Sequence, residues 1–289
     1  MNYQWYPGHM TKAVRQMQED IKIIDLVIEI TDARIPVSSR NPDIDKLGQG
    51  KGRLILLNKS DLSDNRINAE WKKYFEDKGY QCLLIDSKKS TGLKDIKAAV
   101  AKACNAKIER DRKKGIINRP LRAMVCGIPN VGKSTFINAY AKKACTKTGN
   151  KPGVTKGKQW IRMDKTLELL DTPGILWPKF EDQTVGLHLA MTGSINDEII
   201  HSEELCVDLL KFLTDKYSGC INKRYGVDES IEPLELLVEI SKARGCLVKG
   251  GEADIVKGAK LVIDDFRSGK LGNISIERPS DYMDGEEDK

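Results

Sequence analysis

The chain has 289 residues and a net charge of +6, and hydrophobic residues make up 40% of it, as in a globular protein with room for one large domain and a smaller one. No apolar stretch reaches the length of a membrane span, and nothing resembles a secretory signal. We therefore expect no membrane partner. The seven cysteines include no C-x-x-C pair, so we expect reduced thiols and a cytoplasmic location.

The first part of the chain alternates apolar runs of strand length with helical patterns, which predicts an α/β fold with a mostly parallel sheet and helices on both faces. The predicted strands are residues 26–30, 53–57, 82–85, 122–126, 159–163 and 166–170. Before the first strand, apolar residues recur at helical spacing and predict an amphipathic helix that faces the core. These residues are Met10, Ala13, Val14, Met17, Ile21 and Ile24.

The motif Asn58-Lys59-Ser60-Asp61 directly follows the second predicted strand. A carboxylate such as Asp61 accepts hydrogen bonds from both the N1–H and the exocyclic amine of guanine, whereas adenine has no donor at N1. With the wrong base, buried hydrogen-bonding groups would stay unpaired at a cost on the order of 1–3 kcal/mol per group. The motif therefore predicts GTP and GDP as ligands. Asp86 and Ser87 follow the third predicted strand and are candidates for a second base-contacting loop.

A phosphate-binding loop follows the fourth predicted strand, where residues 127–134 fit the pattern G-x-x-x-x-G-K-S. Its glycines allow backbone N–H groups to turn toward phosphates, while the lysine reaches the β- and γ-phosphates and the serine binds Mg²⁺. The helix that follows adds its positive N-terminal end. The residues expected to contact the nucleotide are Asn130, Val131, Gly132, Lys133, Ser134 and Thr135.

The motif Asp171-Thr172-Pro173-Gly174 follows the last predicted strand. Asp171 is the expected Mg²⁺ partner, through a water molecule, and the Gly174 N–H is the expected γ-phosphate sensor. Thr155 lies in the loop between this motif and the phosphate-binding loop. It is the candidate switch threonine, whose hydroxyl would complete the metal shell when a γ-phosphate is present.

The order of these motifs is permuted, because an ordinary GTPase has its phosphate-binding loop first and its Asn-Lys-x-Asp motif near the end. With this order, and with Tyr6-Pro7-Gly8-His9-Met10 near the N-terminus, the chain resembles the YlqF (ribosome biogenesis GTPase A) family of circularly permuted GTPases. The resemblance implies a circularly permuted Ras-like P-loop GTPase domain that binds GTP, GDP and Mg²⁺. It also implies a bacterial GTPase that assists late maturation of the large (50S) ribosomal subunit.

The expected catalysis differs from that of Ras-like enzymes. Ile175 stands where those enzymes place the glutamine that orients the attacking water, so we expect slow intrinsic hydrolysis. Related GTPases imply a K⁺ ion bound at Asn130, whose charge would act in place of an arginine finger; the alternative is that Asn130 only caps the loop. His9 is the candidate catalytic residue, since an imidazole can position or deprotonate a water near neutral pH, although an exposed histidine in such a turn often has no role.

Positive charge is concentrated in residues 101–165, which carry 17 Lys and Arg against three acidic residues. The net charge of this block is +14, so the rest of the chain sums to −8. Such a block is typical of a polyanion-binding surface, and the resemblance makes ribosomal RNA, rather than DNA, the expected partner. No RNA-recognition motif with interleaved aromatics is present, which favours phosphate and shape contacts. The alternative is a solvated linker beside cationic phosphate-binding loops.

We expect residues 1–178 to form the GTPase domain, residues 179–280 a helical domain that binds RNA or the ribosome, and residues 281–289 an acidic, disordered tail. Residues 105–120 would form a polar, solvent-facing connection between the two ends of an unpermuted GTPase. The helical domain is predicted from amphipathic patterns. They are carried by Leu205, Leu209, Phe212 and Leu213, by Leu234, Leu237 and Val238, and by Ile255, Ala259, Val262 and Phe266.

These observations predict a GTP-hydrolysing switch that binds ribosomal RNA and the large ribosomal subunit in its GTP-bound state and is released after hydrolysis. Two alternatives stay open: an RNA-binding scaffold that uses GTP as a structural ligand, and a GTPase that acts on tRNA or a protein partner. The missing glutamine favours the scaffold, whereas the intact Mg²⁺ set of Ser134 and Asp171 favours the switch.

Overall fold

A computed structural model of the chain describes residues 9–117, 119–145, 160–174, 176, 182–196 and 201–283, without the side chains of residues 9–13 and 143–145. The described residues form two compact units. The sheet unit contains the described residues up to 176 together with residues 277–283, and the helical unit contains the described residues from 182 to 276. Within these ranges, no helix is long and apolar enough to cross a membrane.

A six-stranded sheet forms the centre of the sheet unit, in the strand order β3-β2-β1-β4-β6-β5. Neighbouring strands are parallel, except that β5 runs antiparallel to β6. The strands are β1 Leu26–Asp32, β2 Gly52–Asn58, β3 Gln81–Leu84, β4 Leu121–Cys126, β5 Trp160–Arg162 and β6 Leu167–Asp171. This confirms the predicted α/β fold, with each strand close to its predicted bounds.

Helices connect the parallel strands, as parallel pairing requires. They are α1 His9–Asp20, α2 Asp43–Leu47, α3 Asn65–Asp77, α4 Ile96–Ala103, α5 Asn105–Lys113 and α6 Lys133–Cys145. All seven residues of β1 are buried, which is expected of a central strand covered on both faces.

The register of the sheet brings the ends of its parallel strands to one edge. Asp32 at the end of β1 lies opposite Asn58 at the end of β2. On the other side of β1, Val125 of β4 lies opposite Asp171 at the end of β6. The loops that follow these strands leave the sheet where parallel α/β sheets bind their ligands. The predicted base-reading motif, the predicted phosphate-binding loop and the loop from Asp171 to Gly174 are therefore gathered at one edge, although they are far apart in the sequence.

The amphipathic pattern of the N-terminal segment corresponds to α1 and the 3₁₀ turn Ile21–Ile23. Met17 and Ile24 are buried in one cluster with residues of β1 and β4, and Val14 and Ile21 pack against that cluster. The predicted core-facing role is confirmed for these four residues. The side chains of Met10 and Ala13 lie outside the described set.

The connection after α4 contains a helix, α5, that the sequence pattern did not predict. None of its residues is buried, so it carries no apolar stripe from which a helix could be recognised. Pairs at i,i+4 spacing stabilise it instead. Lys107 pairs with Asp111, and the Asn105 side chain donates to Glu109 at 3.1 Å. The expectation of a solvent-facing segment is met by a helix rather than by an irregular linker.

The described part of the helical unit contains α7 Gln183–Met191, α8 Ser202–Lys216, α9 Cys220–Tyr225, α10 Pro233–Ala243 and α11 Ile255–Arg267. The predicted amphipathic helices are α8, α10 and α11. One predicted core position is wrong: Leu234 is 57% exposed, because α10 turns Leu236, Leu237 and Ile240 inward.

Residues 277–283, here named the strap, follow the helical unit and pack on the sheet unit. The strap contains the 3₁₀ helix Pro279–Tyr282, and the Tyr282 ring lies 5.8 Å from the ring of Trp71, which is fully buried in α3. Glu277 is 1% exposed. The predicted boundary at residue 280 and the structural boundary after residue 276 therefore differ. Residues 281–283, predicted to be disordered from their composition, are ordered because Tyr282 packs on a buried aromatic cluster.

Candidate functional site

The predicted phosphate-binding loop occupies the turn between β4 and α6. Gly127, Asn130 and Gly132 have φ angles of 151°, 61° and 97°, in the range that favours glycine. Glycine is also required by space, since a Cβ would lie 2.4 Å from the Ile30 carbonyl oxygen at position 127 and 2.4 Å from the Asn58 amide nitrogen at position 132. At Gly127 the loop packs against the main chain of β1, and at Gly132 it packs against the Asn58 side chain, so neither position has room for a side chain.

Lys133 begins α6 and is 8% exposed. Its Nζ donates hydrogen bonds to the carbonyl oxygens of Gly127 and Ile128, both at 3.0 Å. Burial lowers the pKa of Lys133, and the nearby Asp171 carboxylate opposes this shift. The ammonium is thus held inside the loop, at the position from which a phosphate-binding lysine acts.

Two oxygen ligands suited to Mg²⁺ border this loop. Ser134 lies in the first turn of α6 next to Thr135, and both are exposed. Asp171 ends β6 beside β4. Partial burial raises the pKa of Asp171, and the charge of Lys133 opposes the shift, so a divalent cation would further favour the carboxylate. A hydroxyl and a carboxylate are hard ligands of the kind Mg²⁺ takes, with water completing its shell. Thr155, the predicted third ligand, lies outside the described residues.

Gly174 lies directly against the phosphate-binding loop. A Cβ at this position would be 2.9 Å from Lys133 Nζ and 3.0 Å from Cα of Pro129. The preceding Thr172 hydroxyl donates to the Val125 carbonyl at 2.8 Å and fixes the start of this loop to β4. The structure therefore brings the predicted γ-phosphate sensor to the phosphate-binding loop.

Asn58 connects three loops of the site. Its Nδ2 donates to the Val131 carbonyl in the phosphate-binding loop at 2.7 Å. Its Oδ1 accepts hydrogen bonds from the Ser87 N–H at 3.0 Å and the Ser87 hydroxyl at 2.8 Å. Asn58 is 3% exposed. One buried amide thus holds the base-reading motif, the Ser87 loop and the phosphate-binding loop at fixed distances from one another.

The Asp61 carboxylate is partly exposed and accepts from Lys89 Nζ at 3.1 Å. Asp86 is buried, and its Oδ1 accepts the main-chain N–H groups of Lys88 at 2.8 Å and Lys89 at 3.0 Å. The Ser60 hydroxyl donates to the Ile85 carbonyl at 3.0 Å. Asp86 therefore shapes the second loop by capping its turn, and the contact between Lys89 and Asp61 was not predicted.

Sequence reasoning also missed Asp32, a fully buried carboxylate at the end of β1. It accepts from Lys59 Nζ at 2.8 Å and from both Nε and Nη2 of Arg34, at 2.9 and 2.8 Å. Burial alone would raise the pKa of Asp32, but the charges of Arg34 and Lys59 outweigh it and hold the pKa far below the usual range. Asp32 ends the strand next to β4, which leads into the phosphate-binding loop, and this placement depends on strand order and register, which the sequence does not display.

Comparison with known proteins identifies the family of the chain. A family model described as 50S ribosome-binding GTPase matches residues 122–243. The chain is 48% identical to ribosome biogenesis GTPase A of Bacillus cereus over 289 residues, which cover all of this chain and 98% of that protein. The chain belongs to the ribosome biogenesis GTPase A (YlqF) family.

More distant members agree as well. Ribosome biogenesis GTPase A of Thermotoga maritima is 30% identical, with 96% of this chain and 95% of that protein covered. A GDP-bound structure of YlqF matches with a TM-score of 0.67 at 26% identity, covering 92% of this chain and 100% of that one. A GNP-bound YlqF structure from T. maritima matches with a TM-score of 0.64 at 26% identity, covering 93% and 98%.

Membership of the YlqF family identifies the chain as a GTP-hydrolysing enzyme that binds a guanine nucleotide, typically with Mg²⁺. The residues gathered at the sheet edge include the groups predicted for that activity: the carboxylate of Asp61, the buried ammonium of Lys133, and the Ser134 hydroxyl and Asp171 carboxylate, which could hold Mg²⁺. His9 is the first residue of α1, and its side chain lies outside the described set. Ile175 also lies outside the described residues.

Base selection is tested by the substitution Asp61→Asn. The amide cannot accept both donors of guanine, but it can donate to the carbonyl that xanthine carries in place of the exocyclic amine. We expect GDP affinity to fall by about 10- to 100-fold and the affinity for xanthosine diphosphate to rise. Titration calorimetry with both nucleotides measures this.

Lys89→Ala is the matched control, because it removes the cation that pairs with Asp61 and Asp86, leaves both carboxylates in place, and should preserve the preference for GDP. An unchanged ratio of GDP to xanthosine diphosphate affinity in Asp61→Asn would show that Asp61 does not select the base.

Proposed function

We propose that the chain is a GTP-driven switch that assists late assembly of the large (50S) ribosomal subunit and binds ribosomal RNA in a nucleotide-dependent way. The packing of Gly174 against Lys133 and Pro129 carries this proposal. A γ-phosphate bound by Lys133 would meet the Gly174 loop, and the chain then enters the helical unit, whose described residues begin at 182. The names of the relatives supply the ribosomal context.

In this proposal the nucleotide is held by two sets of residues. Asn58, Lys59, Ser60 and Asp61, with Asp86 and Ser87 behind them, bind the base. Residues 130–135 bind the phosphates, and Ser134 and Asp171 hold the Mg²⁺ ion, joined by Thr155 when a γ-phosphate is present. The metal would supply positive charge to the transferring phosphoryl group.

Hydrolysis needs a group that replaces the missing glutamine. The positive φ of Asn130 places this residue at the rim of the phosphate-binding loop, where it is exposed. We assign it the binding of a K⁺ ion, whose charge would stabilise the transition state. His9 is assigned the positioning of the attacking water, once the partner is bound.

Replacing NaCl by KCl at equal ionic strength should therefore raise the GTP hydrolysis rate, and Asn130→Ala should remove the difference between the salts. The rate is measured as phosphate release at saturating GTP. Equal rates in the two salts would contradict the role of K⁺.

His9→Ala should lower the GTP turnover that the partner stimulates and leave nucleotide affinity unchanged. Unchanged partner-stimulated turnover would contradict the role of His9.

Helix α5 offers a surface for the phosphates of ribosomal RNA. Arg110 and Lys113 of α5, and Lys114 at its C-terminal cap, lie three and four positions apart and so share one face. None of them forms an ion pair or a side-chain hydrogen bond with any residue of the described part. Both acids of the helix, Glu109 and Asp111, are bound by other residues. The final carbonyls of α5 are capped by backbone N–H groups through Gly115, so these cations are not needed to cap them.

Sucrose-gradient sedimentation with large ribosomal subunits tests the function. We expect co-migration with a non-hydrolysable GTP analogue and release with GDP.

A variant with Arg110, Lys113 and Lys114 changed to Gln should bind the large subunit more weakly. The plot of log affinity against log salt concentration should become less steep by about 2, because three phosphate contacts are lost. The control removes the same number of charges by changing Lys72 and Lys73 of α3, and Lys78 at its C-terminal cap, to Gln.

The outcomes separate the proposals. Absence from every ribosomal fraction would exclude the assembly function, and co-migration equal with both nucleotides would favour a scaffold over a switch. Equal loss in the α5 variant and in the α3 control would show that α5 is not a specific contact surface.

A further inference from the structure

A continuous set of buried polar contacts leads from the base-reading motif to the strap. Asp32 joins Lys59 of the motif to Arg34, and both Asp32 and Arg34 are almost completely buried. Asp32 Oδ1 also accepts the Arg34 main-chain N–H at 3.1 Å. The carboxylate is therefore fixed by its own turn as well as by the two cations, and the position of that turn determines where the Lys59 ammonium is held.

Glu277 fixes the same turn from the other side. Its main-chain N–H donates to the Arg34 carbonyl at 3.2 Å. Its carboxylate accepts the N–H groups of Val37 at 2.7 Å and Ser38 at 3.0 Å. Hydrogen bonds from main-chain N–H groups to a carboxylate are shorter and stronger than those to a neutral acceptor. The segment from Arg34 to Ser38 is thus held between Asp32 and Glu277.

Glu277 itself has little freedom in the sheet unit. The Trp71 indole N–H donates to the Glu277 carbonyl at 3.2 Å, and Tyr282 packs on the same Trp71 ring. Glu277 directly follows Ile276, the last residue of the helical unit. The chain therefore leaves the helical unit and enters, at the next residue, the set of contacts that ends at Lys59.

We infer that Glu277 is a positioning residue for guanine binding, which acts through the Arg34 turn and Asp32 on Lys59. This inference rests on the proposed base-reading role of residues 58–61, but not on the ribosomal function. Substitution of Glu277 would loosen the turn, and Lys59 would lose its fixed counter-charge. Affinity for the base should fall more than affinity for the phosphates, because the Glu277 hydrogen bonds described above lead to the Arg34 turn and to Trp71.

The experiment compares the affinities of GDP and pyrophosphate, because pyrophosphate uses the phosphate-binding loop alone. In Glu277→Ala we expect GDP affinity to fall about tenfold and pyrophosphate affinity to stay within about twofold of the wild-type value. Glu277→Gln keeps the shape and a single acceptor oxygen, and the oxygen that accepts from Val37 at 2.7 Å also lies 3.3 Å from the Ser38 N–H, so this variant should lose less. Both affinities are measured by displacement of a fluorescent GDP analogue, alongside the melting temperature.

Glu229→Ala is the matched control. Glu229 also accepts main-chain N–H groups, those of Ile221 and Asn222 at 3.1 and 3.0 Å, but it does so within the helical unit. It should leave both affinities unchanged.

Equal loss of GDP and pyrophosphate affinity in Glu277→Ala would overturn the inference, as would unchanged GDP affinity. If Glu277→Ala does not fold, the Gln variant carries the test with the same criteria. A wild-type protein that bound pyrophosphate but not GDP would instead contradict the base-reading role on which the inference rests.

Discussion

The nucleotide site depends on one buried amide. Asn58 donates to the phosphate-binding loop through Val131 and accepts from Ser87, so each of its two amide atoms is bonded to a different loop. These two loops follow β3 and β4, which β2 and β1 separate in the sheet. A buried amide that loses a partner costs about 1–3 kcal/mol, which is enough to hold the loops in one arrangement. Gly132 is required because any side chain there would displace this amide.

The permuted order changes how the site is connected to the rest of the chain. The segment α4–α5 joins the end of the base-binding half to β4, and the loop after β6 leads out of the sheet unit. After the helical unit the chain returns through the strap, which reaches the turn beside Asp32. The helical unit is thus joined covalently close to Gly174, the predicted γ-phosphate sensor, at one end and next to the Arg34 turn at the other. In the proposed switch, these are two covalent connections between the helical unit and the nucleotide site.

Much of this could be predicted from the sequence, because the strands and motifs are local patterns. Apolar runs located β1 to β6 within two residues, and the order of the motifs indicated the family. Helix α5 was missed because its stability comes from i,i+4 pairs rather than from an apolar face. Glu277 was missed because its partners lie about 240 residues earlier in the chain. Asp32 needed the register of β1 against β2, which only the folded sheet provides.

The central claim is that the Asn58 amide joins two loops into one site. The GDP affinity of Asn58→Ala, measured by titration calorimetry on protein shown to be folded, tests it most directly. Removing the bonds to both loops should weaken GDP binding by about 100-fold, roughly tenfold for each loop released. Ser87→Ala, which removes only one hydroxyl donor, should cost less than tenfold. A GDP affinity for Asn58→Ala within threefold of the wild-type value would contradict the account.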